Sequence, residues 1–421
     1  MKILHELDGG QPSVSVDRVD FRPACADRAA RTHGPSRESL MRLTFVVVRL
    51  LQALVLTLAG IAPASARQQA DQQAQADSAD KPQFPSGKFS GLMFGDYYWY
   101  YRWHQDQVSS SNPTSVQGQQ GFWFRRLYLT YDWTYNERLT TRFRLEANSN
   151  GHFDGGNLEP YVKDAYLKWT YRGRQQLTLG LQPSLTFDWL EGFWGLRHIE
   201  KTPADLYRID ASRDFGVTLS GPVALDGLRY AVQFGNDSGN GSETDANKGV
   251  RIEGRFEGKS GLAVEGFYGY TSRPAGENRQ TAQGFAGFRR KPVRAGAQFL
   301  WQDRQSPETA TPDQTIAVQS AFLVWDIRPT KADAFVRIDH VAGDRGGAQT
   351  GLPGADGIDY WLLSPNSPFT TWIVGGEWYL HPSVRVGPNL EVVKYGHDPD
   401  PVAFPGRSQD AILRITFYWS F

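Results

Sequence analysis

From residue 87 onward, apolar and polar residues alternate with a period of two in one segment after another. In the last segment Ala411, Leu413, Ile415, Phe417, Trp419 and Phe421 share one face, and Asp410, Arg414 and Thr416 the other. Leu139, Thr141, Phe143, Leu145 and Ala147 alternate with Thr140, Arg142, Arg144, Glu146 and Asn148, and Val250, Ile252, Gly254 and Phe256 with Arg251, Glu253, Arg255 and Glu257. This is the period of a β-strand, whose successive side chains point to opposite faces. A face carrying arginine and glutamate in turn suits no soluble sandwich core; it suits a sheet with lipid on one side and water on the other.

The connections between these segments alternate in length. Strands near 87–102 and 121–134 are joined by a long polar stretch, and Tyr135, Asn136 and Glu137 turn tightly into a third near 138–148. Short turns follow at 172–175, 221–227, 258–261, 290–293, 328–332 and 381–383, and long segments at 149–160, 184–212, 236–248, 273–281, 303–315, 342–369 and 396–408. Unpaired backbone groups are costly in lipid, so such strands close on themselves. The expected fold is all-β: a transmembrane antiparallel β-barrel of about 16 strands, with short turns at one end, long extracellular loops at the other, and a water-filled lumen. Aromatic girdles fit it, with Tyr131, Trp133, Trp169, Tyr171, Trp325, Trp378 and Trp419 at one interface and Tyr268, Tyr270 and Trp301 at the other. The run Tyr97–Tyr101 leaves the parity of the first strand open.

The third long loop, 184–212, is amphipathic. It sets Phe187, Trp189, Phe193 and Trp194 beside Glu191, Arg197, His198, Glu200, Lys201, Asp205 and Arg208. So much apolar surface needs cover, and the inner wall of the barrel offers it. The segment is therefore expected to fold inward as a constriction loop built on Trp189, Glu191, Arg197, His198, Glu200, Lys201 and Arg208; an external flap or a contact between protomers stays open. Lumen-facing basic candidates are Arg126, Arg142, Arg144, Arg251, Arg255, Arg337 and Arg414, and acidic ones Glu146, Glu253, Glu257, Asp339 and Glu391. Rings of arginine guide anions, whereas interleaved acids set up a transverse field with mild ion preference. The second arrangement is favoured.

The other end of the chain supplies a route to a membrane. Arg42 and Arg49 lead into the apolar run Leu50–Ile61, followed by Ala64, Ser65 and Ala66, which reads as a secretory signal peptide over 41–66. A transmembrane anchor is the other reading, weakened by the shortness of the run. Residues 1–40 are expected to be a misassigned or dispensable leader, 67–86 a polar periplasmic lead-in, and 87–421 the barrel. The part after residue 66 carries 37 basic and 39 acidic residues, being the totals of 45 and 45 less the leader's 8 and 6, so nothing points to nucleic acid. Cys25, the single cysteine, falls in the leader, which excludes disulfide and thiol chemistry from the mature part.

Catalytic motifs are weak. Gly258, Lys259 and Ser260 imitate a phosphate-binding loop, but the glycine it requires stands where Glu253 is, and no helix follows. His104, His152, His198, His340, His381 and His397 lack metal-ligand spacing, and the acidic segment 236–248 lacks that of a calcium loop. No enzyme, metal or cofactor is expected, with a barrel enzyme or an adhesin as the contrary class.

Arg213, Asp214, Phe215, Gly216 and Val217, with Ser220 and Gly221, resemble a segment of the phosphate-selective porins O and P. Phe124, Arg125, Arg126, Leu127 and Tyr128, and Lys163, Asp164, Ala165, Tyr166 and Leu167, are similar to early strands of that family, and Phe421 looks like the terminal signal read by the outer-membrane assembly machinery. The resemblance spans 87–421. It implies a sixteen-stranded, homotrimeric porin of a Gram-negative outer membrane, held among outer-membrane lipids, with its third loop turned inward. It departs in lysine content: the 10 lysines after residue 66 are scattered, where the family clusters them. The expectation is therefore a channel for passive diffusion of small hydrophilic solutes and ions, with a phosphate- or polyphosphate-selective channel as the alternative.

Overall fold

The computed structural model describes residues 83–103, 117–148, 157–273, 276–305, 313–328, 331–344, 368–396 and 408–421. The expected leader, the signal peptide, Cys25 and most of the lead-in lie outside the described residues. Sixteen strands run in chain order: β1 (Ser86–Arg102), β2 (Gln120–Asn136), β3 (Leu139–Asn148), β4 (Glu159–Arg172), β5 (Gln175–Pro183), β6 (Arg213–Pro222), β7 (Leu228–Gly235), β8 (Gly249–Glu257), β9 (Leu262–Thr271), β10 (Arg279–Arg290), β11 (Val293–Arg304), β12 (Gln314–Arg328), β13 (Ala332–Asp344), β14 (Phe369–His381), β15 (Val384–Tyr395) and β16 (Gln409–Ser420). Each pairs antiparallel with its neighbours in sequence, and β1 also pairs with β16, closing the barrel. Long and short connections alternate, giving the barrel a loop end and a turn end. Gly258–Gly261, the false phosphate loop, is a tight turn between β8 and β9, closed by a 2.9 Å bond from Gly261 N–H to the carbonyl of Gly258.

The seam depends on a residue without a side chain. Gly91 and Phe421 exchange two backbone hydrogen bonds of 3.0 Å, and a Cβ on Gly91 would run into the Phe421 ring. The outward faces are apolar around the circumference: Phe143, Leu179, Phe215, Ile252, Phe299 and Trp378 are all exposed. In water this surface would aggregate; in hydrocarbon it is the favourable one. The first strand resolves its parity here, with Trp99 and Tyr101 turned outward and Tyr98 and Tyr100 packed inside.

Two of the β-bulges change which charged residues face the lumen. Phe94 pairs with Arg126 and Gly95 with Phe124, which leaves Arg125 as an extra residue and turns two successive arginines inward. Arg144 pairs with Asp164 and Leu145 with Val162, so Lys163 and Asp164 also both face the lumen. The lumen is water-filled on one side only: opposite it, the inner wall carries buried apolar clusters around Phe285, Leu300, Val318, Val324, Phe335 and Ile373, the cover that the apolar part of the third loop needs. These are the surfaces that the third loop covers.

Candidate functional site

The loop between β5 and β6 enters the barrel through Thr186, whose φ of 72° places a β-branched residue in the left-handed region. Gln283 Nε2 holds it there by donating to its hydroxyl at 2.6 Å. Helix α1 (Phe187–Trp194) follows, with Phe187, Leu190, Phe193 and Trp194 buried. Phe193 meets Phe285 edge to face at 5.0 Å between centroids, and Trp194 meets Phe322 at 4.9 Å. Gly195 ends the helix at φ 71°, where a Cβ would sit 2.8 Å from the Arg294 guanidinium. A second short helix, α2 (Pro203–Leu206), leads to Tyr207, which packs on Phe369 and donates to Asp339 at 2.9 Å.

Side chains of the wall capture the loop's backbone. Arg125 donates to the carbonyls of His198 and Ile199, Arg337 to that of Lys201, Gln302 to that of Ile209, and Arg289 to that of Gly192. Beneath the loop, Glu200 lies 3.3 Å from Arg414 and 3.9 Å from Arg125; Arg414 also reaches Glu391 and Asn389, and Arg125 reaches Asp96 at 2.7 Å. Such a network holds together because each buried charge has an opposite one beside it.

These contacts correct part of the expected pore lining. Arg337 and Arg414 are 1% and 0% exposed, and with Asp339 and Glu391 they lie under the loop. Arg251 is equally buried, gripped by Asp210, Asp214 and Asp237. The reason is common to all three: an inward arginine faces whatever fills the lumen at that level, and here the loop fills it. Two loop residues turn the same way: Glu200 into that network, and His198 to Glu377 at 2.6 Å. Glu253 is buried beside Arg255, which itself lies over the Trp189 ring at 5.6 Å, and Glu257 accepts from Trp189 Nε1 at 2.8 Å.

The open side lies between the polar face of the loop and the wall of β2–β6. On the wall, Arg126 and Lys163 bracket Glu146 at 2.9 and 3.0 Å, Arg142 pairs with Asp132 at 2.7 Å, and Arg144 with Asp164 at 3.2 Å. Arg213 spans the gap, bonded to Asp164 at 2.5 Å and to Asp188 of α1 at 3.0 Å. On the loop, Arg197 is shared by Glu191 at 2.9 Å and Asp205 at 3.3 Å, and Lys201 reaches Asp205 at 3.6 Å. Burial lifts the Glu191 carboxyl above the usual range. It opposes the charge on Asp205 too, but Lys201 and Arg197 outweigh it and hold that carboxyl well below. Toward the loop end the gap widens into a cavity of about 920 Å³ lined by Arg126, Lys163, Arg197, Arg208, Arg273 and Arg279, among others.

Sequence reasoning missed Arg125, Lys163, Asp164, Asp188 and Arg213 as inward groups. A signal was present for the first three, because adjacent charges in an alternating strand face the same way only across a bulge.

No protein-family model matches the chain, and no curated protein matches it. Solved structures do. The anion-selective porin of Comamonas acidovorans superposes with a TM-score of 0.56 at 10% identity, over 80% of this chain and 100% of that one. OmpF of Salmonella typhi, solved with daunomycin, gives 0.55 at 12% identity over 80% and 98%. Outer-membrane-expressed OmpT of Vibrio cholerae gives 0.53 at 11% identity over 81% and 99%. The chain thus has the closed β-barrel fold of these outer-membrane proteins, reached at sequence identities that carry the fold and nothing finer.

Proposed function

We propose that the chain is a porin of a Gram-negative outer membrane, through which small hydrophilic solutes and ions diffuse passively past the third loop. The observation that carries this reading is the pairing of a loop packed inside a closed barrel with a charged gap left on one side of it. A loop that merely plugged the lumen would have no reason to keep Asp188, Glu191, Arg197 and Lys201 along its inner edge. The reading assigns no catalytic step and no cofactor. It sets the loop end outside the cell, the barrel among outer-membrane lipids after delivery by the assembly machinery, and three copies together; a trimer form of the Vibrio OmpT barrel supports the last point.

One observation favours a second reading, a channel that prefers anions. The cavity at the loop end is lined by seven cationic side chains, Arg126, Lys163, Arg197, Lys201, Arg208, Arg273 and Arg279, against four carboxylates, Glu146, Asp205, Asp210 and Asp237. Likeness to an anion-selective porin agrees, and the resemblance to porins O and P extends the reading to phosphate or polyphosphate. Reversal potentials of the purified barrel in planar bilayers, under a chloride gradient and then a phosphate gradient, separate the two. Steady conductance with weak preference supports the general channel; strong anion preference with block by micromolar phosphate supports the second reading. Bilayers that stay closed would overturn both.

A further inference from the structure

Three tyrosine rings line the open gap. Phe285, Phe335 and Phe369, on the opposite inner wall, are buried where the third loop docks, whereas Tyr128 on β2 and Tyr161 and Tyr166 on β4 are only half-buried. The register sets these rings among charges. Glu146 lies opposite Tyr128 on one side and Tyr161 on the other, and two rows nearer the turn end Arg142 lies opposite Asp132 and Tyr166. Thr130, Arg144 and Asp164 form the row between. Arg144 sits over the Tyr128 ring at 5.6 Å and Lys168 over the Tyr166 ring at 5.7 Å, which steadies both rings. No aliphatic side chain faces inward from β2–β4 in these three rows.

The charges on this wall are matched. Asp132 has Arg142 at 2.7 Å, Asp164 has Arg144 at 3.2 Å, and Glu146 has Lys163 at 3.0 Å. A paired charge attracts a passing ion weakly, because the field of its partner opposes it. It still presents a donor and an acceptor side by side, the arrangement that neighbouring hydroxyl groups complete. An aromatic face, negative at its centre, complements the C–H face of a pyranose ring, which is apolar and faintly positive. Hydroxyl partners alternating with aromatic faces thus match a sugar on both of its surfaces. A phosphate or chloride ion would use the cations and leave the rings idle, and the surplus of cations lies elsewhere, in the cavity at the loop end. From Tyr128 to Asp132 the strand advances four residues, about 13 Å, which is room for about two sugar rings.

We infer that the inner wall of β2–β4 is a binding track for neutral saccharides of disaccharide size, with Tyr128, Tyr161 and Tyr166 against the sugar faces and Asp132, Glu146, Arg142 and Arg144 holding the hydroxyls. The inference rests on the porin reading and gives that channel a preferred solute.

The test is block of ion current by maltose, with the full-length chain purified in detergent and inserted into planar bilayers. Maltose is expected to lower wild-type conductance along a saturating curve. Glycerol, which has hydroxyls but no ring, is expected to lower it only in step with the conductivity of the solution. With each aromatic contact worth about 2- to 12-fold, Tyr128→Leu with Tyr166→Leu is expected to raise the half-saturating maltose concentration roughly 5- to 100-fold. Tyr128→Phe with Tyr166→Phe is expected to keep the block, since the ring faces remain. Unchanged heat-modifiable migration shows that the variants are folded. A channel that conducts steadily without saturating block by maltose overturns the inference and leaves the porin reading standing. Equal half-saturation in wild type and the leucine variant overturns it as well, because the sugar would then bind away from these rings. Bilayers that stay closed before any sugar is added overturn the porin reading and this inference with it.

Discussion

Glu200 is 0% exposed and has Arg414 at 3.3 Å and Arg125 at 3.9 Å, and acidic and basic groups buried together in this way are strongly coupled. Removing one member leaves the others uncompensated. Arg414→Ala is expected to cost about 3–5 kcal/mol of stability, read as a lowered midpoint in guanidinium unfolding of the refolded barrel; a midpoint equal to wild type would mean that the network is not formed. Glu191 behaves differently, since burial raises its pKa and it is protonated at a pH where an exposed glutamate is still charged. As pH falls through that raised value the constriction loses a negative charge, so anion preference should rise on mild acidification. The sign for stability agrees: a carboxyl that binds its proton more tightly when folded adds stability as pH falls through the folded value, and that contribution is absent above it. Reversal potentials followed from neutral to mildly acid pH should show the rise in the wild type and a flatter response in Glu191→Gln.

At the scale of elements, α1 is held by its apolar face and works through its polar one. Phe193 and Trp194 lie against Phe285 and Phe322, and truncating buried aromatics of this size typically costs about 3–5 kcal/mol each. That loss falls on the docking of the loop, because the strands keep their own ladders. Phe193→Ala with Trp194→Ala is therefore expected to leave a folded barrel whose single-channel conductance is larger and noisier. Quiet currents of wild-type size would place the constriction elsewhere.

For the whole molecule, closure is the decisive event, and it passes through one seam. Gly91 lies beneath Phe421, whereas Gly254 on β8 has nothing within 4 Å of where a Cβ would stand. Leucine at position 91 should lower the yield of heat-modifiable, folded barrel, and leucine at 254 should not. Equal yields would show that the seam tolerates a side chain. The comparison is controlled within itself, since both positions belong to strands and both face outward.

The strands, their number, the alternation of turns and loops and the outward girdle were legible in the sequence, because a two-residue period repeats locally and each strand reports its own faces. The inward course of the third loop was legible too, from Phe187, Phe193 and Trp194 beside charges in one segment. The local period did not reveal the company each inward residue keeps. Arg337 and Arg414 have the same pattern as Arg142 and Arg144, yet two are sealed beneath the loop and two face the gap. Arg125 and Lys163 turn inward only because a partner strand is one residue shorter at a bulge. Sequence alone determined that a barrel forms and which faces meet lipid; tertiary structure decided which lumenal charges bind the loop and which are left for a solute, because burial and charge pairing are set by residues distant in the chain.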